Sequence, residues 1–550
     1  MVLDLSRVSD ADVEHEITQL SQELARLKAH LNSRRSVSHL PPEILLHIFS
    51  LIVDEWKSEL DWDRQRYHWC PAPSSYTWLP ITHVFHYWRV VALQTPGLWD
   101  HLVLNNIPSI GTMLERSQST SISLFYWPND MIVDTTELDI LEILHPHLHR
   151  VNLLQIVSAV PFHHLSGHLF SCSLPSIETI TFSIVDDYTY GDELPTNQTE
   201  PFTSWMDAGY DALLRVSLCR IPLAGVQAAV HSSLRHLSLH ALPFSITMSM
   251  LLVILERTPL LESLSLIHAT PHVPSSVMDL SEPDKIMTLP HLRSLQVVAA
   301  GASSVNFLRH ISYPVTVSIE VSIDELEYLD ITPGTLGFQL AAKLPQNLRC
   351  ISLRADRQGF QLFGWVGNER GVDLTGSAVS ALCSIQIRFI QIQDGWMSCW
   401  TFCNMVLKLL SETLEVLHMD IDAGNGFAQF GQDVWDEEVY NAIITKAINI
   451  RKIYISSIHH LLHILPPFEE AGDTQDSDAN SQTPLPLLIY LWIEKVSAGD
   501  VACLNAILRG RERAGKMVEV LSVPYYDGTY QETAGLVKHL EVRCHRSEST

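Results

Sequence analysis

Basic charge is scarce in this chain. Thirty-six lysines and arginines stand against 62 aspartates and glutamates, a formal net charge of −26 at pH 7. A chain this acidic repels a phosphate backbone, and no lysine- or arginine-rich stripe offsets it locally, which argues against a nucleic-acid partner. Cysteine is also sparse. Nine in 550 residues, scattered and odd in number, read as reduced core thiols rather than a disulfide framework. Asn197-Gln198-Thr199 is then an unused glycosylation sequon. No apolar run is long enough to span a bilayer. The opening MVLDLSRVSDAD carries acids where a secretory signal needs bases and an apolar stretch. The expectation is a soluble chain with no membrane association, in the cytoplasm, the nucleus or both.

What the chain does have is apolar content. At 46% hydrophobic residues over 550 positions it is too long for one ordinary core, so several domains or one long repeat array are expected. Its 27 histidines raise the question of metal binding or pH sensing. Spacing argues against a site, because no set of four ligands converges around His163, His164 and His168, around His459, His460 and His463, or around Cys399 and Cys403. Catalytic phrases fail too. Gln19 stands where His15-Glu16 would need a second histidine to make a zinc protease. Gln429 takes the third glycine position after Gly424 and Gly426, and Asp420 with Asp422 lack the glycine and terminal glutamate of a calcium loop. No phosphate-binding loop or GxSxG elbow occurs. No catalysis, cofactor or metal is therefore expected.

Val13, Ile17, Leu20, Leu24, Leu27 and Leu31 follow one another at spacings of four and three, the seam of a coiled coil about three heptads long. Ser9 with Asp12 is a start signal, and Asn32-Ser33 a stop. A helix of about 22 residues is marginal alone in water. Residues 13–31 therefore need a partner, either a second copy, giving a homodimer, or the neighbouring domain.

From Val37 the text reads VSHLPPEILLHIFSLIVDEW. Pro41 and Pro42 stiffen the approach to a helix whose Ile44, Leu45, Ile48, Phe49 and Ile52 form an apolar stripe. A second block, Trp78 to Trp99, sets Ile81, Val84, Phe85 and Trp88 on one helical face and stops at Pro96-Gly97. The run Leu40-Pro41-Pro42-Glu43-Ile44-Leu45, then Phe49, Val84 and Trp88-Arg89, resembles the F-box motif. The tail Thr95-Pro96-Gly97-Leu98-Trp99 is similar to the phrase that leads into repeats in the large fungal F-box families. The resemblance implies that Leu40, Pro41, Pro42, Glu43, Ile44, Leu45, Ile48 and Phe49, with Val84 and Trp88, contact the Skp-type adaptor of a cullin ligase. Such an interface lays an apolar helix into a groove. Two features depart from the family pattern: Phe85-His86-Tyr87 stands where a cysteine is usual, and residues 54–77 interrupt the helix set. Trp56, Trp62, Trp69 and Trp78 mark that insert as packed, because disordered linkers are poor in aromatics.

Beyond Leu98 one phrase recurs: an aliphatic residue, two others, an apolar residue, one other, an apolar residue. It sets alternate side chains inward, as a short strand must. LPSIETITFSI from Leu174, LLRVSLCRI from Leu213, SLRHLSLHAL from Ser233, PLLESLSLIHA from Pro259, LPHLRSLQVV from Leu289 and NLRCISLRA from Asn347 are copies. TLEVLHMDID from Thr413, NIRKIYISSI from Asn449 and LPLLIYLWI from Leu485 keep the pattern. Apolar helices ending in proline precede several strands, as in MSMLLVILERTP. No unit can bury its own apolar face, so stacking into a curved, parallel-sheet array is expected. Outward positions then line the concave face: Thr179, Thr181, Arg215, Ser217, His236, Ser238, Ser263, Ser265, Ser294, Gln296, Arg354, His418, Asp420, Lys452 and Tyr454. Their small, hydroxylated character suits a broad protein-binding surface better than a catalytic pocket.

The expected fold is an α/β solenoid with a helical preface. Residues 1–36 form the coiled-coil-like helix, 37–97 an all-α F-box with the insert, 98–528 a leucine-rich-repeat-like array, and 529–550 a tail. Glu469 to Thr483 reads as a disordered acidic loop. The expected function is the substrate-receptor subunit of a Skp-cullin-F-box ubiquitin ligase. Arg215, His236, Gln296, Arg354, His418, Asp420, Lys452 and Tyr454 would meet a target protein that the sequence does not name. A non-ligase scaffold and a small-molecule-sensing repeat receptor are the alternatives, and an enzyme ranks last.

Overall fold

The computed structural model describes residues 9–34, 40–60, 76–84, 86–104, 107–126, 134–158, 174–184, 210, 212–221, 223–242, 246–271, 283, 285–323, 333–345, 348–356, 359–366, 385–390, 402, 404–421, 437–465, 484–497, 499–524 and 530–543. They fall into two compact units, Met1–Ala229 and Val230–Thr550. The expected acidic loop at 469–483 lies outside the described residues.

Helix α1 (Asp10–Ser33) opens the first unit. The Ser9 hydroxyl accepts from the Asp12 N–H at 3.3 Å and donates to the Asp12 carboxylate at 2.7 Å, a reciprocal cap that satisfies one free amide. Helix α2 (Pro42–Leu60) begins on a proline, which costs nothing where no amide partner exists. Its Leu45, Phe49, Val53, Trp56 and Leu60 recur every three or four residues and are all buried. The helix thus runs through the first part of the expected insert, whose residues 61–75, with Trp62 and Trp69, lie outside the described residues. A 3-10 turn (Leu79–His83), α3 (His86–Leu93) and a second 3-10 turn (Pro96–Leu98) close over it. Phe49 meets Trp88 edge to face at 5.4 Å, Trp56 meets Tyr76 at 5.3 Å, and Trp78 meets Trp99 at 4.9 Å. The Trp99 indole donates to the Ala92 carbonyl at 2.8 Å, so its polar atom is satisfied in the core.

Strands β1 (His101–Val103), β2 (Ile122–Tyr126), β3 (Val151–Ser158), β4 (Thr179–Ile184) and β5 (Arg215–Cys219) follow, with α4 (Ile107–Ser117), α5 (Asp134–Leu144) and α6 (Leu223–Ala229) among them. Each strand pairs with the next, all parallel. Arg150, buried at the turn into β3, donates to the carbonyls of Leu114, Gln118 and Thr120, supplying donors where α4 ends.

The second unit contains β6 (His236–His240), α7 (Met248–Glu256), β7 (Ser263–Ile267), β8 (Met287–Thr288), β9 (Ser294–Ala299), α8 (Gly301–Arg309), β10 (Ile311–Ser312), β11 (Ser318–Ile323) and α9 (Pro333–Ala342). It continues with β12 (Cys350–Asp356), β13 (Gly359–Trp365), β14 (Ile385–Ile390), β15 (Val416–Ile421), α10 (Glu437–Lys446), β16 (Lys452–Ser457) and α11 (Ile458–Ile464). It ends with β17 (Tyr490–Lys495), α12 (Asp500–Arg513), β18 (Val520–Pro524), α13 (Gln531–Gly535) and β19 (His539–Arg543). Its main sheet has the order β6-β7-β9-β11-β14-β13-β12-β15-β16-β17-β18-β19.

Leu237, Leu264, Leu295 and Ile319 stand in one register row and Leu239, Leu266, Val297 and Val321 in another, all buried. These are the inward positions of the repeated phrase. Helix α7 is one anchored crossover: the Thr247 hydroxyl caps Met250 N, and Leu251, Leu252, Ile254 and Leu255 are buried. The residues just after β5, β6 and β7, Arg220, Ala241 and His268, take left-handed φ values of 57°, 48° and 49°. Ala241 and His268 each donate their N–H to the neighbouring strand at 2.7 Å while the chain turns away.

Two expectations are corrected. The sheet is mostly but not wholly parallel, because β13 runs antiparallel between β12 and β14. Only residues 357 and 358 connect β12 to β13, too few for a crossover, so the strand must reverse. The supposed tail supplies β19, paired parallel to β18. As an exposed edge strand it buries too little to show the repeat's apolar alternation.

Candidate functional site

Helix α2 is apolar on two faces. One face is closed into the first unit's core. The other carries Ile44 at 48% exposure and Leu51 at 57%, with Ile48 half-buried between them, and Val84 at 51% ends the 3-10 turn that packs against α3. A solvent-facing row of large aliphatic side chains on a helix already anchored from behind is a surface made for another apolar surface. Pro41, Pro42 and Glu43 are exposed beside it, and Leu40 and Trp88 are half-buried.

The ten residues expected to touch an adaptor therefore divide. Pro41, Pro42, Glu43, Ile44, Ile48 and Val84 present atoms to solvent. Leu45 and Phe49 are fully enclosed and hold the helix down instead of reaching outward. Leu51, which the motif reading left out, continues the outward row seven residues after Ile44. The i, i+4, i+7 spacing of Ile44, Ile48 and Leu51 was the available signal.

This patch is rigidly mounted. Lys57 near the end of α2 pairs with Asp100 at 3.1 Å, and Asp100 meets His101 Nδ1 at 2.6 Å. Burial raises the Asp100 pKa, but the His101 contact and the Lys57 charge outweigh it and hold the carboxyl below its ordinary value. Tyr76 accepts the Val103 N–H at 3.0 Å, and burial pushes its phenol up. Gln155 on β3 donates to the Leu60 carbonyl at 2.9 Å. Arg116 of α4 lies over the Trp99 ring at 4.3 Å.

In the second unit, the positions alternating with the core leucines form one continuous row across the sheet. From β6 it runs Ser238, Ser265, Gln296, Glu320, Gln386, Phe363, Ser352, His418, Tyr454, Trp492, Ser522, Glu541. Its first part is polar: Ser265 donates to Gln296 at 2.7 Å and Gln296 donates to Glu320 at 3.0 Å. Its second part is aromatic. Tyr454 lies 5.4 Å from Tyr490, 6.1 Å from Trp492 and 6.1 Å from His418. Arg354 sits over Phe363 at 5.4 Å, Lys452 over Tyr490 at 5.9 Å and Arg543 over Trp492 at 3.9 Å. Each cation faces the electron-rich side of a ring.

The row takes in some of the positions expected to line the concave face, and three of the eight residues expected to meet a target. Ser238, Ser265, Gln296, His418 and Tyr454 are in it, His236, Ser263, Ser294 and Lys452 flank it, and Arg354 lies 4.0 Å from Asp420. Thr179, Thr181, Arg215 and Ser217 belong to the first unit. Ser265, Gln386, Phe363, Ser352, Trp492 and Ser522 of the row are buried, and His418 likewise corrects the expectation of an accessible contact. It is 4% exposed, sits 2.6 Å from the buried Ser352 hydroxyl, and burial followed by the Arg354 charge lowers its pKa to about 4.

Phe363, Trp365 and Trp492, which are buried, and Tyr490 and Arg543, which are partly accessible, were missed. The first two lie in a strand without the repeat phrase, and Arg543 lies in the supposed tail. Tyr490 and Trp492 were legible from the alternation within LPLLIYLWI.

A second regularity marks the row's border. The residues preceding β6, β7 and β9 are Arg235, Glu262 and Arg293, and Glu262 bridges the two arginines at 2.5 and 3.7 Å. The Arg235 hydrogen bond chiefly holds the Glu262 carboxyl below its ordinary range. Arg349, Glu415 and Arg451 repeat the arrangement before β12, β15 and β16, with Arg349 and Glu415 3.7 Å apart. A polar hollow of about 450 Å³ lies against this second triplet, bordered also by Val366, Glu412, Thr413 and Asn449. The alternation is written in the phrases LRHL, LESL and LRSL.

Among the described residues no group of three or more His, Cys, Asp or Glu could hold a metal ion, and no helix is long and apolar enough to cross a membrane. No family model matches this chain, and no curated protein matches it.

Proposed function

We propose that this protein is the substrate-receptor subunit of a Skp-cullin-F-box type ubiquitin ligase, docking its adaptor through the outward face of α2 and a target protein through its repeat-like strand array. The observation that carries the reading is the second apolar face of α2, with Ile44 and Leu51 exposed, Ile48 half-buried between them and Val84 exposed nearby, on a helix whose opposite face is fully buried. It coincides with the F-box-like phrase Leu40 to Phe49. The protein would supply no chemistry of its own. It holds a target near the ligase, and the rate gain is one of proximity. The accessible side chains at the row's aromatic end, Lys452, Tyr454, Tyr490 and Arg543, suit a protein partner, since aromatics and arginine dominate the strongest contacts of such interfaces.

The test is co-purification of the full chain with a Skp-type adaptor, beside the double substitution Ile44→Asp and Leu51→Asp. Retention by the wild type and its loss in the variant support the reading. Failure of the folded wild type to bind, or binding that survives both aspartates, overturns it.

A further inference from the structure

Among the described residues, helix α1 carries a long apolar stripe that lies open to solvent. Ile17, Leu20, Leu24, Leu27 and Leu31 are 58%, 62%, 53%, 49% and 63% exposed, and Val13 is half-exposed. An amphipathic helix of 24 residues is marginal in water without a surface to cover that stripe.

The charges around the stripe identify that surface. Continuing the four-three alternation one step past each end lands on Asp10 and Arg34, both exposed. Acids fill the first half of the helix, Asp10, Asp12, Glu14 and Glu16, and bases the second, Arg26, Lys28 and His30, with Arg34 just beyond. In a parallel pair of identical helices, Asp10 would meet Asp10 and Arg34 would meet Arg34 at the two ends of the seam. Reversing one helix removes both conflicts. With Leu20 set against Leu24, Ile17 against Leu27 and Val13 against Leu31, all six seam residues are used and Asp10 meets Arg34 at both ends. The flanking positions then bring Glu14 opposite Lys28 and Glu16 opposite His30, the positions that set partner and orientation in coiled coils. The single like-charge approach is Glu23 to its own copy near the centre, and Glu23 is already neutralised by Arg26 of its own helix at 2.9 Å.

We propose that α1 pairs antiparallel with α1 of a second copy of this chain, making the protein a homodimer through residues 10–34. Among its described side chains α1 gives no residue to the core, so each copy remains complete without the pairing. The pairing is independent of adaptor docking, which uses a different helix.

Sedimentation equilibrium of the full chain tests this. The wild type is expected to be a dimer and the variant carrying Leu20→Asp and Leu24→Asp a monomer, with unchanged thermal unfolding of the rest, because both side chains face solvent in the single chain. Orientation is read by cross-linking under mild oxidation, relative to the wild type's own cysteines. Ser21→Cys, whose two copies meet across the axis of an antiparallel pair, is expected to give a disulfide-linked dimer, and Leu24→Cys is not. A monomeric wild type, a dimer that survives the two aspartates, or linkage through position 24 in place of 21 overturns the proposal.

Discussion

The Gln155 side-chain amide donates to the main-chain carbonyl of Leu60, 95 residues earlier in the chain, at 2.9 Å. One hydrogen bond thus joins the end of α2, whose carbonyls have no partner within the helix, to the third strand of the sheet. With Lys57–Asp100 and the Tyr76–Val103 contact, it makes α2 and the first strands parts of one core.

Gln155→Leu is therefore expected to destabilise the protein by about 1–3 kcal/mol, the range for leaving a buried polar group unpaired. Denaturant midpoints measure it. A fragment ending near residue 105 lacks Gln155, Arg116 and Phe125 and is expected to unfold at a lower midpoint than the first unit does in the whole chain. Equal midpoints would show that the helices fold without the strands.

Folding and docking separate on the two faces of α2. Phe49→Ala empties a fully enclosed site against Trp88 and is expected to cost about 3–5 kcal/mol. Ile44→Asp and Leu51→Asp, on the open face, are expected to leave the midpoint within about 0.5 kcal/mol, as surface changes usually do. Chemical denaturation of the three variants distinguishes them. A large loss from Leu51→Asp would place that residue in a contact with its own chain.

The stability of the second unit should fall in mild acid because of His418. Burial, and then the Arg354 charge, bring its pKa from the ordinary 6.5 to about 4. As pH falls between these values the unfolded chain takes up the proton and the folded one does not. Stability is therefore complete above the upper value and declines toward the lower, with a limiting slope of about 1.4 kcal/mol per pH unit from this one group. His418→Gln should flatten that segment of the urea-midpoint profile. An unchanged slope would assign the decline to other groups.

Ala241 turns the chain out of β6 with φ 48°, a conformation that crowds any Cβ. Ala241→Gly removes the crowding, worth about 1–2 kcal/mol, against an entropic cost of about 0.5–1 kcal/mol, so a small net stabilisation is expected. The thermal midpoint reads it, and a fall would mean that the half-buried methyl packs better than the turn strains.

The apolar alternation of LRHLSL, LESLSL and LRSLQV was enough to place β6, β7 and β9 and to say which side of each strand is core, because every unit carries its own signal at short range. The seam of α1 was equally legible, since spacing alone defines a helical face. What only the tertiary structure decided depends on which neighbour closes over which side. Leu45 and Ile44 are adjacent aliphatics of one apolar run, yet one is enclosed and the other open, because α3 and its flanking turns cover a single face of α2. Likewise β13 enters the sheet by reversing direction and brings Phe363 and Trp365 beside Tyr454, an arrangement of pairing order between distant strands that no local pattern encodes. Period and polarity are local properties of a chain; burial and adjacency belong to the assembled whole.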